Sequence, residues 1–188
     1  AFWTINGLSA RIILYYSKYH GKAAAFQLLE SDADVNRILI SIYQQINRDY
    51  PTESTVKSLR TAITYAKNMM FKAADIEAMD VDVDNFPQIF KAYTESLTNN
   101  RLMDYDDQMV YAYRILRTVP AVLEKFQKQY QYVCVDESQD TSKIQHAIIA
   151  LLAMKKRNIF MVGDEDQSIY GFRAAFPEAL MSFEKTYP

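Results

Sequence analysis

Tyr132-Val133-Cys134-Val135-Asp136-Glu137-Ser138-Gln139-Asp140-Thr141 is answered, one helix length later, by Ile159-Phe160-Met161-Val162-Gly163-Asp164-Glu165-Asp166-Gln167-Ser168-Ile169-Tyr170. Each is a short apolar run that ends in acidic residues. Residues 132–135 are β-branched, aromatic or small and do not alternate with polar residues, which predicts a strand buried on both faces. The second run reads the same way. Between them, residues 141–157 carry Ile144, Ile148, Leu151 and Leu152 at roughly the spacing of one helical face. Strand, helix, strand is a βαβ unit, and its parallel strands put their carboxyl ends on one edge of the sheet. Ligands of open α/β sheets bind at that edge.

Adjacent carboxylates at such a strand end suit nucleotide hydrolysis. Asp136 can hold Mg²⁺ directly or through water, and Glu137 can polarise the water that attacks a terminal phosphate. Gln167, one strand over, can meet the same phosphate with a neutral amide. An Asp-Glu pair here can equally cap the following helix and favour its positive end. Farther on, Tyr170-Gly171-Phe172-Arg173 combines two aromatic faces with a cation. Aromatic faces stack on any base, at roughly 1–3 kcal/mol per base, and so hold single strands without reading sequence. Gly171 leaves the backbone free to aim both rings, and Arg173 adds charge. A core role for both rings in the helix that follows is the competing reading.

Val135-Asp136-Glu137-Ser138-Gln139-Asp140-Thr141 and the run from Val162-Gly163-Asp164-Glu165-Asp166-Gln167 through Tyr170-Gly171-Phe172-Arg173-Ala174-Ala175 resemble helicase motifs II and III of the UvrD/Rep family of superfamily 1 DNA helicases. The resemblance implies an ATP-driven motor that moves along single-stranded DNA and opens duplex junctions. It implies ATP and Mg²⁺ as cofactors, Asp136 and Glu137 as the metal and water-activating pair, and Gln167 as the γ-phosphate contact. Tyr170 and Phe172 would face the DNA bases, and Arg173 would help couple the two sites. Phe172 stands where the family often has Trp, a smaller stacking surface that is expected to weaken base contact. The implied fold is α/β and mostly helical: an incomplete RecA-like P-loop NTPase parallel sheet with an inserted helical subdomain.

Composition sets wider bounds. The 188 residues are enough for one ordinary domain or two small ones, and 49% hydrophobic content is that of a globular chain. A net charge of -2 gives no overall pull towards nucleic acid, so DNA binding must come from a local surface. The single Cys134 excludes a disulfide framework or zinc spacing and is expected to be a small core residue in a reducing, cytoplasmic setting. No run approaches the length of a membrane helix, so no membrane partner is expected. The chain opens on Ala1-Phe2-Trp3 without Met and closes on Tyr187-Pro188, which reads as a segment of a longer protein.

Taken in order, Phe2-Trp3-Thr4-Ile5-Asn6-Gly7-Leu8 occupies the place of the family's Thr-Phe-His-Ser-like motif. That motif lines the DNA path. Thr4 is kept and carries that expectation, while Ile5, Asn6 and Gly7 replace the rest; Thr4 or Asn6 is also a fitting helix cap. Gly21-Lys22 is followed by Ala23 and preceded, five positions back, by Tyr16, so it is a turn and not a phosphate-binding loop. Helices are expected over residues 8–19, 32–47, 54–70, 86–97, 108–118, 119–129 and 177–186. Lys57, Arg60, Lys67 and Lys72 read as a solvated basic face, and the acidic run 73–84 as a solvated loop. Asp104, Asp106 and Asp107 lie in Leu102-Met103-Asp104-Tyr105-Asp106-Asp107-Gln108-Met109, which resembles the family's Leu-Asp-Phe-Asp-Asp-Leu segment. Capping of the next helix is preferred for them over a two-metal nuclease.

Residues 1–100 are thus expected to be mainly the inserted helical subdomain (1B-like) with its leading segment, and 101–188 the C-terminal half of RecA-like motor domain 1A. With no P-loop in the chain, the isolated segment is expected not to hydrolyse ATP, and its unpaired sheet edge is expected to promote self-association. A catalytically silent helical interaction module that keeps helicase-like strands as scaffold is the alternative.

Overall fold

Thr4 opens the first helix by accepting the Gly7 N–H on its hydroxyl at 3.1 Å, and α1 then runs over Ile5–Tyr19. A computed structural model describes residues 2–21 and 26–164. The other elements follow in chain order. They are β1 (Gln27–Leu28), α2 (Asp32–Asn47), α3 (Glu53–Asn68), α4 (Ala73–Glu77), α5 (Phe86–Asn99), β2 (Leu102–Met103), α6 (Tyr105–Thr118), α7 (Pro120–Gln129), β3 (Val133–Val135), a 3₁₀ turn (Ser138–Asp140), α8 (Lys143–Ala153) and β4 (Ile159–Met161). Local chemistry sets many of the boundaries. Thr52 caps α3 by accepting the Thr55 N–H, and Pro120 supplies a first-turn residue whose missing N–H costs nothing there. Asp104 accepts the Asp107 N–H at 2.8 Å while the Asp107 carboxylate accepts the Asp104 N–H, closing a reciprocal box at the start of α6.

Apolar residues gather into two clusters. Leu39, Leu59, Ile63, Ile89, Tyr93 and Leu97 join the inner faces of α2, α3 and α5. Ile12, Met109, Ala112, Leu116, Val122, Phe126, Ile144 and Ile148 join α1 to α6, α7 and α8. The leading helix therefore packs with elements that lie a hundred residues later in the chain, while the helices between them bury their apolar faces on one another. Two small parallel ladders accompany the helices. In one, β1 pairs with β2 in the register Gln27 to Leu102 and Leu28 to Met103. In the other, β3 pairs with β4 in the register Val133 to Ile159 and Val135 to Met161, with α8 as the crossover. The strand, helix, strand order expected around the acidic turns is present.

Several expectations change. Cys134 is exposed, as are Tyr132 and Phe160, because one face of the β3–β4 ladder has no described element against it, so this thiol is not a core residue. Lys67 is buried, because its position on α3 turns it towards α6 and away from the exposed basic face. The acidic stretch is not a simple loop: α4 forms within it, Ile76 is buried, and Val81 and Val83 pack on the first core. Helix α6 begins at Tyr105, earlier than residue 108, because Asp104 is its cap. The β1–β2 pairing has too few residues to show a strand pattern in the sequence. The helix expected over 177–186, the Lys22 of the Gly-Lys pair, and Gln167, Tyr170, Phe172 and Arg173 lie outside the described residues.

Candidate functional site

β3 delivers Asp136 and Glu137 to the carboxyl edge of its ladder, where both side chains are exposed. Asp136 Oδ1 accepts the Glu137 N–H at 3.0 Å, which folds the chain back on itself at the strand end. Glu137 takes a left-handed backbone, φ 50° and ψ 44°. For a residue with a Cβ this conformation costs on the order of 1–3 kcal/mol and persists where its surroundings hold it. The 3₁₀ turn is that support. The Ser138 N–H donates to the Val162 carbonyl at 2.9 Å and the Val162 N–H to the Val135 carbonyl at 2.8 Å, so the backbone ladder continues past both strand ends into the acidic turns.

Gln139 completes the tie. Its side chain is almost wholly buried, at 2% exposure. Nε2 donates to Glu137 Oε2 at 2.6 Å, and Oε1 accepts the Asp164 N–H at 3.1 Å. Gly163 leaves room for this arrangement. A Cβ built there would stand 2.5 Å from Ser138 Oγ and 2.7 Å from Gln139 Oε1, closer than real side chains approach. Beneath the turn, burial holds the His146 imidazole below its ordinary pKa, against a hydrogen bond to the Ser138 backbone. Glu137 and Asp164, separate in sequence, are thus joined along one hydrogen-bonded edge. Neither Gln139 nor Gly163 was singled out by sequence reasoning. The only signal was one of four glycines, two residues past β4, and an amide next to Asp140.

As a magnesium ligand Asp136 is chemically suited. Mg²⁺ takes hard oxygen donors, usually one or two carboxylates with water and substrate phosphates completing its shell. An exposed carboxylate at a strand end meets that need. Among the described residues no group of three or more His, Cys, Asp or Glu side chains converges as a metal centre.

The three aspartates of α6 are engaged otherwise. The Lys67 ammonium lies 2.7 Å from Asp104 Oδ2 and 2.8 Å from Asp107 Oδ1, and the Tyr93 hydroxyl donates to Asp104 Oδ2 at 3.0 Å. Asp106 accepts from Thr64 Oγ1 at 2.8 Å and from Asn68 Nδ2 at 2.7 Å. Burial alone would depress the Lys67 ammonium, but the carboxylates of Asp104 and Asp107 outweigh it and hold its pKa above the ordinary lysine value. Asp104 is held below the carboxylate range despite burial, chiefly by Lys67. Asp106 is pushed up to about 6, by burial first and then by the charge of Asp104. The helix cap expected for Asp104 and Asp107 is present, and the cation that sits between them belongs to α3.

At the other expected contact, Thr4 spends its hydroxyl on the Gly7 N–H. Beside it the Arg11 guanidinium lies 4.2 Å from the centre of the Trp3 ring, and Phe2 is fully exposed. No described helix is long and apolar enough to cross a membrane.

Comparison with known proteins identifies the family. The UvrD/REP helicase N-terminal domain family matches over residues 1–188. A protein named ATP-dependent DNA helicase PcrA from Staphylococcus aureus is 41% identical over 129 residues, which is 68% of this chain and 18% of that protein. Its namesake from Leuconostoc citreum is 30% identical over 187 residues, 98% of this chain and 25% of that protein. A third, from Staphylococcus epidermidis, is 40% identical over 129 residues, again 68% of this chain and 18% of its own length. The chain therefore spans between about a fifth and a quarter of the curated relatives it matches. By the match along its whole length, the chain belongs to the UvrD/REP helicase N-terminal domain family.

Proposed function

We propose that this chain is part of the motor of an ATP-dependent DNA helicase that couples Mg-ATP hydrolysis to movement on single-stranded DNA and to the opening of duplex junctions. The observation that carries the reading is the placement of Asp136 and Glu137 at the carboxyl edge of the parallel β3–β4 ladder, with the second acidic turn tied to them. That edge is where open α/β sheets present ligands. In this reading Asp136 binds Mg²⁺, which offsets phosphate charge when bound, and Glu137 orients and accepts a proton from the attacking water. Gln167 contacts the terminal phosphate. Tyr170 and Phe172 stack on bases, Arg173 couples the two sites, and Thr4 lies along the DNA path.

Residues 1–100 supply mainly the inserted helical subdomain and 101–188 the second half of a RecA-like domain, with α1 serving as the leading segment that packs on α6. The relatives are about four to five and a half times longer than the stretch they share with this chain. In this reading the P-loop and the second motor domain lie in a longer protein, and this chain alone does not hydrolyse ATP. A cytoplasmic setting and self-association of the isolated chain through its unpaired sheet edge and the apolar surface beside it complete the proposal.

The test is ATP hydrolysis by the longer protein, with and without single-stranded DNA, beside its Glu137→Gln variant. DNA-stimulated turnover that the variant loses is the expected result. Turnover that survives the substitution would remove Glu137 from the chemistry.

A further inference from the structure

We infer that Gln139 is a positioning residue, one that fixes the Glu137 carboxylate and makes its orientation follow the backbone at Gly163 and Asp164. The inference rests on the reading of Glu137 as the group that activates water. Glu137 is exposed and long, so an untethered carboxylate at this place would spread over several rotamers. Gln139 is the opposite: buried, planar and held at both ends. A carboxylate only accepts and a backbone N–H only donates, so a single orientation of the amide satisfies both partners. Turning it over would set oxygen against oxygen at Glu137 and N–H against N–H at Asp164. The amide is therefore a rigid strut whose two ends lie on different acidic turns.

The strut has no slack on the loop side. The absent side chain of Gly163 is what lets Gln139 Oε1 and Ser138 Oγ approach. The backbone bonds from Ser138 to Val162 and from Val162 to Val135 hold the turn and the end of β4 in one frame. A displacement of Asp164 by a fraction of an ångström draws on Oε1 and moves Nε2 with it. The Glu137 carboxylate then gains or loses its 2.6 Å donor. Gln139 touches neither of the two carboxylate roles directly; it sets when one of them is in place.

The experiment uses the longer protein and four forms: Gln139→Leu, Glu137→Gln, the two combined, and Gly163→Ala, which keeps the amide but displaces it. Steady-state kcat and KM for ATP, single-turnover rates, and binding of a fluorescent ATP analogue are measured. Misplacing a catalytic group by about an ångström costs on the order of 100-fold, so Gln139→Leu is expected to lower kcat about 10- to 100-fold, with nucleotide affinity unchanged. Because Gln139 acts through Glu137, adding Gln139→Leu to Glu137→Gln should leave the residual single-turnover rate where it was. Losses that multiply in the combined variant, or a folded Gln139→Leu form with unaltered kcat, overturn the inference. If Gln139→Leu does not fold, Gly163→Ala carries the test with the same two expectations. An inactive Glu137→Gln beside an unimpaired Gln139→Leu defeats only this inference, whereas a fully active Glu137→Gln defeats the proposed function beneath it.

Discussion

Lys67 on α3 and Asp104 at the start of α6 form an ion pair of 2.7 Å in which the two side chains are only 6% and 12% exposed. The same ammonium reaches Asp107 at 2.8 Å, and Tyr93 on α5 closes over the group with its hydroxyl on Asp104 and its ring 5.1 Å from the lysine nitrogen. One cation thus holds two carboxylates from a helix belonging to the other apolar cluster.

Removing that cation should be costly. Lys67→Met leaves Asp104 and Asp107 buried without a counter-charge, and breaking a buried pair in this way typically destabilises by about 3–5 kcal/mol. Urea unfolding at neutral pH is expected to show a loss of that order. A midpoint within experimental error of the parent would mean that the carboxylates find water or another partner.

Asp106 predicts a pH effect with a definite sign. Its pKa in the fold is about 6, above the ordinary 3.8, so the folded state binds more protons than the unfolded chain between those values. Stability then falls as pH rises through that window, by up to about 3 kcal/mol. Asp106→Asn removes this contribution and keeps a polar side chain facing Thr64 and Asn68. Its melting temperature, compared with the parent at pH 4 and pH 7, should gain relative to the parent at the higher pH; an equal difference at both would contradict the assignment.

Thr4 separates two roles by size. As a helix cap its loss in Thr4→Ala should cost about 1 kcal/mol, read by chemical denaturation. As a contact to DNA it should also weaken single-strand binding by the longer protein. Thr4→Ser restores the cap hydroxyl and should recover stability, and binding that stays weak in Thr4→Ser points to a contact made by the lost methyl group.

Cys134 and Phe160 share the uncovered face of the β3–β4 ladder. In the isolated chain Cys134 should react with a thiol reagent without unfolding, and Phe160→Asp should reduce self-association seen by light scattering across a dilution series. In the longer protein, where the proposed RecA-like sheet is complete, the same thiol should be protected. Equal reactivity in both would argue that nothing covers this face.

The parts of the fold visible in the sequence are those set by neighbours in sequence. Apolar spacing marked α2 and α5 closely, Pro120 marked the start of α7, and the acidic strand ends marked the βαβ unit. What stayed hidden depends on distant partners. Lys67 has the pattern of a solvent-facing lysine, and only the arrival of α6 buries it. Cys134 has the pattern of a core residue, and only the lack of a covering layer exposes it. Gln139 and Gly163 acquire their roles from a close approach of two turns that no local period encodes.

Residues 102–107 combine duties that are usually spread over a whole interface. Leu102 and Met103 pair with β1, Asp104 starts α6, and Asp104, Asp106 and Asp107 reach Lys67, Tyr93, Thr64 and Asn68 on α3 and α5. In mechanical language this short span, about 20 Å of chain at most, is a fulcrum. A torque applied to the α2, α3 and α5 cluster reaches the lever formed by α6 at this place, in parallel with the direct packing of α3 on α8. Stiffness at these six residues therefore sets how any such load is shared between α6 and the direct path through α8 to the strands that hold Asp136 and Glu137.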